Sequence, residues 1–269
     1  MKKKMPFSKI ILILLATALL LIGVFFATRP TINRIVQEAQ AEKEVATFYA
    51  ENDYGVETEQ TPTGNIPIIK KKKSDIPPEE TPYPELLEAM IAYNEHIHAT
   101  KQAGLADPWC YTTTTINLSD YGYDKEEIGV LTIPAMDYEE PVFLGATYNH
   151  LDRGAAQLSI SSMPIGGLNT NCVLAAHRGW EGAIHFKNVE QLQIGDTVYL
   201  TNPWEVLEYE VTGFKIIEPY QPEELLIQDG RDMLTLVTCH PYGSGGRYRY
   251  VVYCDRKTDP TPTKTERED

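Results

Sequence analysis

The sequence is poor in positive charge and in cysteine, and each shortage argues against a class of protein. It has 24 lysines and arginines against 38 acidic residues, which gives a formal net charge of -14. A phosphate backbone needs a basic surface, so nucleic acid is not an expected partner. The 4 cysteines, Cys110, Cys172, Cys239 and Cys254, are scattered along the chain. Their spacing does not indicate a disulfide framework.

Long hydrophobic runs are also absent, with one exception near the N-terminus. Ile10 to Ala27 is apolar apart from Thr17 and Gly23, and at about 1.5 Å per residue it can cross most of a ~30 Å hydrocarbon layer. A cluster of lysines precedes this run, which places residues 1–9 in the cytoplasm. We therefore predict a single-pass signal anchor in the cell membrane, with the bulk of the chain extracellular. A cleaved signal peptide is the alternative.

The segment that follows the anchor is polar. Thr31 to Ala50 has loosely helical spacing and predicts a stalk helix, whereas Glu51 to Glu80 lacks apolar periodicity and predicts a linker. Glu85 to Thr100 places its apolar residues mainly on one face, which predicts a helix that packs on the next domain. Gly104 to Asp120 has no clear period and predicts an irregular segment over a surface.

From Ile128 onward, short β-branched runs alternate with turn residues. We predict strands over Gly129–Ile133, Val142–Leu144, Asn171–Ala176, Thr197–Leu200, Glu205–Val211, Met233–Cys239 and Arg249–Cys254. Asn149–Ala155 and Phe186–Leu192 give the best helical signals in this half. Many short strands with turns between them predict a mainly β fold, a closed barrel or a sandwich.

A possible nucleophile lies near the C-terminus. An apolar strand ends in Cys239, a glycine-rich loop follows, and a second strand contains Arg249. A fixed cation beside a thiol favours the thiolate, which is the nucleophilic form. Arg247 has the same strand parity and remains the alternative, although the Tyr-Val-Val-Tyr run that follows Arg249 favours the latter.

A second strand ends in a histidine. Leu174-Ala175-Ala176 leads into His177 at a turn, which predicts an imidazole at a barrel rim. Cysteine plus histidine is the minimum for thiol-based acyl transfer. A histidine at a strand end is more often structural, so His177 alone does not indicate a function.

These motifs together resemble the sortase family of cysteine transpeptidases. The resemblance rests on Thr-Leu-Val-Thr-Cys at 235–239, Ala-His-Arg-Gly at 176–179 and Arg-Tyr-Val-Val-Tyr at 249–253, within a stretch from about Ile128 to Asp255. It implies a closed sortase-type β-barrel of about eight strands. It also implies that Cys239, His177 and Arg249 are catalytic and that no cofactor or metal is required.

Within that family the chain resembles the pilin-polymerising class C group. The Tyr93-Asn94 helix and Asp107-Pro108-Trp109 are similar to that group's N-terminal helix and lid. The resemblance implies that Asp107 meets Arg249 and that Trp109 covers Cys239. Class C members usually carry a second membrane helix at the C-terminus, whereas residues 257–269 are polar. The predicted divisions are a basic tail (1–9), an anchor (10–28), a stalk helix and linker (29–80), an N-terminal helix and lid segment (81–127), a catalytic barrel (128–256) and a polar tail (257–269).

The implied partners are exported proteins or pilins that carry a C-terminal Leu-Pro-X-Thr-Gly-like sorting motif. The acyl acceptor is an amine, either a pilin lysine or a peptidoglycan precursor. A housekeeping-type sortase is an alternative within the family.

Three readings outside the family compete. A papain-like hydrolase is disfavoured because the catalytic cysteine of such enzymes precedes the histidine in sequence, whereas here His177 precedes Cys239. A non-catalytic envelope adhesin would leave the placement of the cysteine, histidine and arginine unexplained. A zinc site from Cys239, His240, His177 and Cys254 lacks paired ligand spacing.

Overall fold

Strands dominate the second half of the chain. The computed structural model describes residues 7–61, 64–71, 81–111, 113–179, 185–243 and 245–257. Its helices are α1 (Phe7–Glu51), α2 (Pro84–Ala99) and α3 (Tyr148–Arg153). Its strands are β1 (Tyr54–Thr61), β2 (Gly64–Lys71), β3 (Glu127–Ile133), β4 (Tyr138–Leu144), β5 (Ala155–Gln157), β6 (Thr170–Ala175), β7 (Thr197–Thr201), β8 (Val206–Ile217), β9 (Asp232–His240) and β10 (Tyr248–Arg256). Short 3₁₀ helices cover Pro108–Cys110, Leu118–Tyr121, Pro134–Met136, Val189–Gln191 and Pro222–Leu225.

The strands from β3 to β10 close into a barrel. Their order around it is β10-β8-β7-β3-β4-β5-β6-β9. The pairs β4–β5 and β6–β9 are parallel, and the other neighbours are antiparallel. Closure gives every strand of the barrel two partners, so the barrel itself has no open edge. The prediction of a mainly β fold with a closed barrel of about eight strands is confirmed.

Strand β9 is buried on both faces. Leu234 and Leu236 lie in the main hydrophobic core. Val237 points to the other side, where it belongs to a second cluster that includes Leu151 of α3 and Leu225. Burial on both faces explains why the sequence of β9 is a nearly continuous apolar run. The residue at the end of such a strand has a well-defined position.

Helix α1 is one uninterrupted helix. The sequence predicted a stalk helix over Thr31 to Ala50, and these residues are helical as part of α1, which runs without a break from the apolar run to Glu51. The apolar part is exposed and reaches a mean hydropathy of 3.0, so by length and composition it is a candidate membrane span. The C-terminal part docks on the barrel, where Val45 and Phe48 pack in a cluster with Val130 of β3.

The expectation of an irregular linker over Glu51 to Glu80 is wrong for much of that segment. Strands β1 and β2 form an antiparallel hairpin. The Tyr54 hydroxyl donates a hydrogen bond to the Asn202 carbonyl at 2.8 Å, and Tyr54 and Ile69 join the cluster around Phe48. The sequence signal is weak because most hairpin residues are polar, and docking through a few side chains stabilises the pair. Residues 72–80 lie outside the described residues.

Two helix predictions had different outcomes. Asn149–Ala155 corresponds to α3, which ends at Arg153 so that Ala155 can start β5. The helix predicted over Phe186–Leu192 is wrong, because this stretch contains only the 3₁₀ turn Val189–Gln191. The predicted division into domains stays a prediction.

We expect Phe48→Ala to loosen the docking of α1 on the barrel. Phe48 is 1% exposed, and truncation of a buried phenylalanine costs about 3 kcal/mol or more. Hydrogen exchange of the full chain in detergent, read by mass spectrometry, should quicken in residues 41–49 and in β1. The control is Val36→Ala, because Val36 lies on the same helix and is 57% exposed. Equal protection in the Phe48 variant and the control would contradict this packing.

Candidate active site

The pairing of β9 with β10 brings a thiol and a guanidinium together. Cys239 and Arg249 are direct partners in the antiparallel register, so their side chains lie on the same face. The Arg249 Nη1 atom is 3.9 Å from the Cys239 Sγ atom. Arg247 precedes β10 and is exposed. The structure therefore places Arg249, and not Arg247, beside the thiol.

The backbone of the glycine-rich loop fixes the Arg249 guanidinium. Arg249 Nη1 donates to the Gly246 carbonyl at 2.6 Å and to the Tyr248 carbonyl at 3.1 Å. Gly246 has φ +82°, and a Cβ atom there would lie 3.0 Å from Cys239 Sγ and 3.1 Å from Arg249 Nη1. The position therefore favours glycine for both conformation and space.

His177 follows β6 and reaches the same cavity as Cys239. The hydrogen bonding between β6 and β9 continues one residue beyond the end of β6, where the Ala176 N–H donates to the Val237 carbonyl at 3.3 Å. The buried Thr238 hydroxyl donates to the Ala176 carbonyl at 2.7 Å. Thr238 therefore ties the residue before Cys239 to the residue before His177. The sequence analysis did not include Thr238 among the site residues, and its position next to the cysteine was the available signal.

The cavity beside these residues has a volume of about 310 Å³. Its walls come from the lid segment, the end of β6, the end of β9 and the glycine-rich loop: Trp109, Tyr111, His177, Arg178, Gly179, Cys239, Pro241, Gly243, Gly245 and Gly246. Such a volume is within the usual range for a ligand pocket. The predicted nucleophile and the predicted proton carrier therefore face one space.

His177 is buried. Its pKa is lowered to about 4, mainly by burial and also by the nearby His185, whereas Asp152 opposes the shift. Its Nε2 atom is buried and has no hydrogen-bond partner among the described residues. At neutral pH the imidazole is therefore uncharged in this structure.

The lid residue Asp107 binds Arg249 through both carboxylate oxygens. The Arg249 Nε–Asp107 Oδ1 distance is 2.6 Å and the Nη2–Oδ2 distance is 2.7 Å. Both side chains are mostly buried, so this is a charge-assisted bidentate pair. Asp107 also accepts the Trp109 backbone N–H at 3.3 Å, which shapes the turn that carries the indole.

The predicted lid residue Trp109 contacts Arg249 and His177. The Arg249 Cζ atom lies 4.4 Å from the centre of the Trp109 ring, a cation–π arrangement. The indole Nε1–H points to His177 Nδ1 at 3.5 Å. The structure thus brings together all five predicted site residues: Trp109 lines the cavity, and Asp107 is bound to Arg249.

The Cys239 thiol is protonated at neutral pH in this structure. Burial is the largest influence and raises the pKa of Cys239 above its usual value, Arg249 and Arg178 lower it, and Asp107 raises it. The guanidinium thus favours the thiolate, but burial and the Asp107 carboxylate outweigh it. The Cys239 thiol and the His177 imidazole are therefore both uncharged in this structure.

Arg178 supports the histidine turn. It is mostly buried, and it pairs with Glu190 at 3.0 Å and donates to the Lys187 carbonyl at 3.4 Å. Glu190 also contacts His240 at 2.9 Å.

The remaining cysteines are not among the residues that line the cavity. All 4 cysteines are free, Cys110 is exposed, and Cys172 and Cys254 are in the hydrophobic core. Cys254 pairs with Leu234, which is roughly 17 Å along β9 from Cys239 at about 3.3 Å per residue. The set of ligands considered for zinc is therefore not brought together.

Comparison with known proteins gives a family. The sortase domain family matches residues 131–257. The chain is 32% identical over 131 residues to sortase A of Bacillus anthracis, which covers 49% of this chain and 60% of that protein. It is 28% identical over 132 residues to sortase D of Bacillus subtilis, which covers 48% of this chain and 64% of that protein. The matches thus span less than two thirds of these relatives.

Solved structures are similar over more of their length. Sortase C1 of Streptococcus agalactiae, in complex with MTSET, has a TM-score of 0.60 and 31% identity, and the match covers 68% of this chain and 95% of that one. Sortase C of Streptococcus pneumoniae has a TM-score of 0.56 and 33% identity, with coverage of 66% and 92%. Because these matches exceed 30% identity and cover more than nine tenths of the solved chains, the protein belongs to the sortase family of cysteine transpeptidases.

Proposed function

We propose that this chain is a membrane-anchored transpeptidase that cleaves a Leu-Pro-X-Thr-Gly-like sorting motif between Thr and Gly and transfers the acyl group to an amine. The observation that carries the proposal is one cavity that contains Cys239 and His177, with Arg249 Nη1 3.9 Å from the thiol. A nucleophile, a proton carrier and a fixed cationic donor are the groups that acyl transfer requires.

In the proposed reaction, His177 accepts the proton of the Cys239 thiol and the thiolate attacks the Thr carbonyl carbon. The N–H groups of Arg249 stabilise the oxyanion that forms. The bond to the Gly nitrogen then breaks, and His177 gives its proton to the leaving amine, which leaves a thioester on Cys239. The acceptor amine attacks this thioester, passes a proton to His177 and releases the thiolate.

The lid supports a class C assignment, in which the acceptor is a pilin lysine and the role is pilus assembly. Asp107 binds Arg249, and Trp109 lies against the same guanidinium and lines the cavity, and these contacts support the proposed lid. Among the similar structures, sortase C1 of Group B Streptococcus belongs to pilus island 1, and the Streptococcus pneumoniae enzyme is described in relation to pilin substrate specificity. The exposed apolar part of α1 supports membrane anchoring.

A housekeeping role is the second candidate. Proteins similar to this chain include sortase A of Bacillus anthracis and sortase A of Listeria monocytogenes, which is 30% identical over 119 residues. In that role the acceptor is a peptidoglycan precursor. The two candidates share the chemistry at Cys239 and differ in the amine that resolves the thioester.

We expect an acyl adduct on Cys239 when the full chain with Asp107→Ala and Trp109→Ala is incubated with a Leu-Pro-X-Thr-Gly peptide library. Removal of both lid side chains opens the cavity, and intact-protein mass spectrometry with fragment mapping reads the adduct. Cys239→Ala in the same background is the control and should give none. Release of the adduct by a lysine peptide would support the pilin role, and release by a peptidoglycan precursor the housekeeping role. No adduct, together with a Cys239 that is inert to alkylation, would favour a binding module.

We expect Asp107→Ala to speed the alkylation of Cys239 and to move its pH profile to lower pH. The carboxylate and the burial that the lid provides both raise the pKa of this thiol, so their loss lowers it and exposes more thiolate at neutral pH. The rate at pH 7 should rise at least about tenfold, which requires only about 1.4 kcal/mol. Asp120→Ala, at an exposed position in the 3₁₀ helix Leu118–Tyr121, should leave the profile unchanged. An unchanged profile in the Asp107 variant would contradict the electrostatic role of the lid.

We expect Arg249→Lys to reduce thioester formation roughly 100-fold or more, the usual cost of losing an oxyanion donor. A lysine ammonium cannot reproduce the guanidinium that bonds to Asp107 and to the Gly246 carbonyl. Arg247→Lys is the matched control, because Arg247 is two residues earlier, exposed and outside β10. Stopped-time mass spectrometry of the adduct measures both. Equal losses in the two variants would refute the assignment of Arg249.

A further inference from the structure

A second groove lies between α2 and the loop that precedes β6. Its volume is about 310 Å³ and its lining includes Ile91, Asn94, Glu95, Ile165 and Leu168. The groove is at the start of β6 and β9, which run parallel with Thr170 opposite Asp232. Cys239 is at the far end of β9, roughly 23 Å away at about 3.3 Å per residue. The groove is therefore separate from the proposed active site.

Apolar side chains on both sides of the groove are exposed. Ile91 of α2 is 44% exposed and Leu168 of the loop is 71% exposed. Ile165 lies between them at the groove wall and is partly buried. Single exposed apolar residues are ordinary, but apolar residues that line one concave site indicate a contact surface. Such a surface suits an aliphatic side chain of a ligand.

A buried amide donor lies in the same groove. Asn94 is 6% exposed, and its Oδ1 accepts the Met163 backbone N–H at 2.7 Å. Its Nδ2 has no hydrogen-bond partner among the described residues. A buried donor without an acceptor costs about 1–3 kcal/mol. A carbonyl oxygen that enters the groove can remove this cost, as the backbone of an extended peptide does.

The loop wall is preformed. Asp232 accepts the Gly167 N–H at 2.9 Å, and the Thr170 hydroxyl donates to the Gly167 carbonyl at 2.7 Å. The Gly230 N–H donates to Asn169 Oδ1 at 2.6 Å. A wall that is already ordered loses little conformational entropy when a ligand binds.

The rim of the groove is acidic. Glu95 lines it, and Asp229 contacts His98 at 2.8 Å with its carboxylate almost fully exposed. A cationic side chain next to the apolar one would therefore meet complementary charge. We propose that this groove binds an extended peptide segment of a protein partner, in which an aliphatic side chain is followed by lysine or arginine. This proposal does not depend on the chemistry at Cys239.

The test is fluorescence anisotropy with the full chain in detergent and two labelled, blocked peptides, Thr-Ser-Thr-Leu-Lys-Val-Thr-Ser and Thr-Ser-Thr-Leu-Glu-Val-Thr-Ser. We expect the Lys peptide to bind more tightly than the Glu peptide. Leu168→Ser should weaken the Lys peptide roughly tenfold or more, because it removes a leucine from the contact. Glu95→Lys should reverse the preference between the two peptides.

The controls separate this groove from other surfaces. Ile194→Ser is matched to Leu168→Ser, since Ile194 is also 71% exposed and lies outside the groove; it should bind as wild type does. Asn94→Asp keeps the acceptor for Met163 and removes the amide donor, so it should weaken binding, with thermal unfolding as the check on its fold. The proposal is overturned if neither peptide binds, or if Leu168→Ser and Ile194→Ser behave alike. Self-association in sedimentation velocity that Leu168→Ser abolishes would also overturn it, in favour of a second copy as the occupant.

Discussion

The Arg249 guanidinium is the group on which the arrangement of the site depends. Its position follows from the register of β9 and β10, which sets it opposite Cys239. Its donors are shared among the thiol, the loop carbonyls and the Asp107 carboxylate. The same cation can therefore serve the substrate oxyanion or the lid. In the proposed mechanism, an oxyanion that binds Nε or Nη2 of Arg249 displaces the Asp107 carboxylate, so the substrate and Asp107 compete for these two donors.

Desolvation is the second constraint, and it acts on both reacting groups in the same direction. Burial lowers the pKa of His177 to about 4 and raises the pKa of Cys239. Each shift favours the uncharged form, since a charged group in an apolar cavity lacks water. A thiolate–imidazolium pair is thus disfavoured under the closed lid. Opening the lid restores water and removes the Asp107 carboxylate, and both changes favour the reactive thiolate.

The barrel holds the reacting groups in place, so shifts in the pKa values of Cys239 and His177 can control reactivity. Strand β9 is buried on both faces, and the Thr238 hydroxyl ties it to the turn that carries His177. The nucleophile and the histidine therefore belong to fixed strands, whereas Asp107 and Trp109 belong to a short 3₁₀ turn and its cap. A lid of this kind can move without disturbing the core.

The strand pattern predicted a mainly β fold, a barrel or a sandwich, and the resemblance to sortases implied the closed barrel that the structure has. Strand ends and glycine-rich turns are local signals, so they also pointed to Cys239 and His177, whereas Asp107 and Trp109 were predicted only from the resemblance. It did not predict the β1–β2 hairpin, because polar hairpin residues carry little periodicity and their stability comes from Tyr54 and Ile69 docked on distant residues.

Tertiary structure decided the questions that depend on contacts between distant segments. Arg247 and Arg249 have the same strand parity, and only the register of β10 against β9 places Arg249 beside the thiol. The closed position of Asp107 and the neutral state of His177 likewise depend on burial between segments far apart in sequence. Strand patterns specify which side chains share a face, but pairing and desolvation arise only when the barrel has closed.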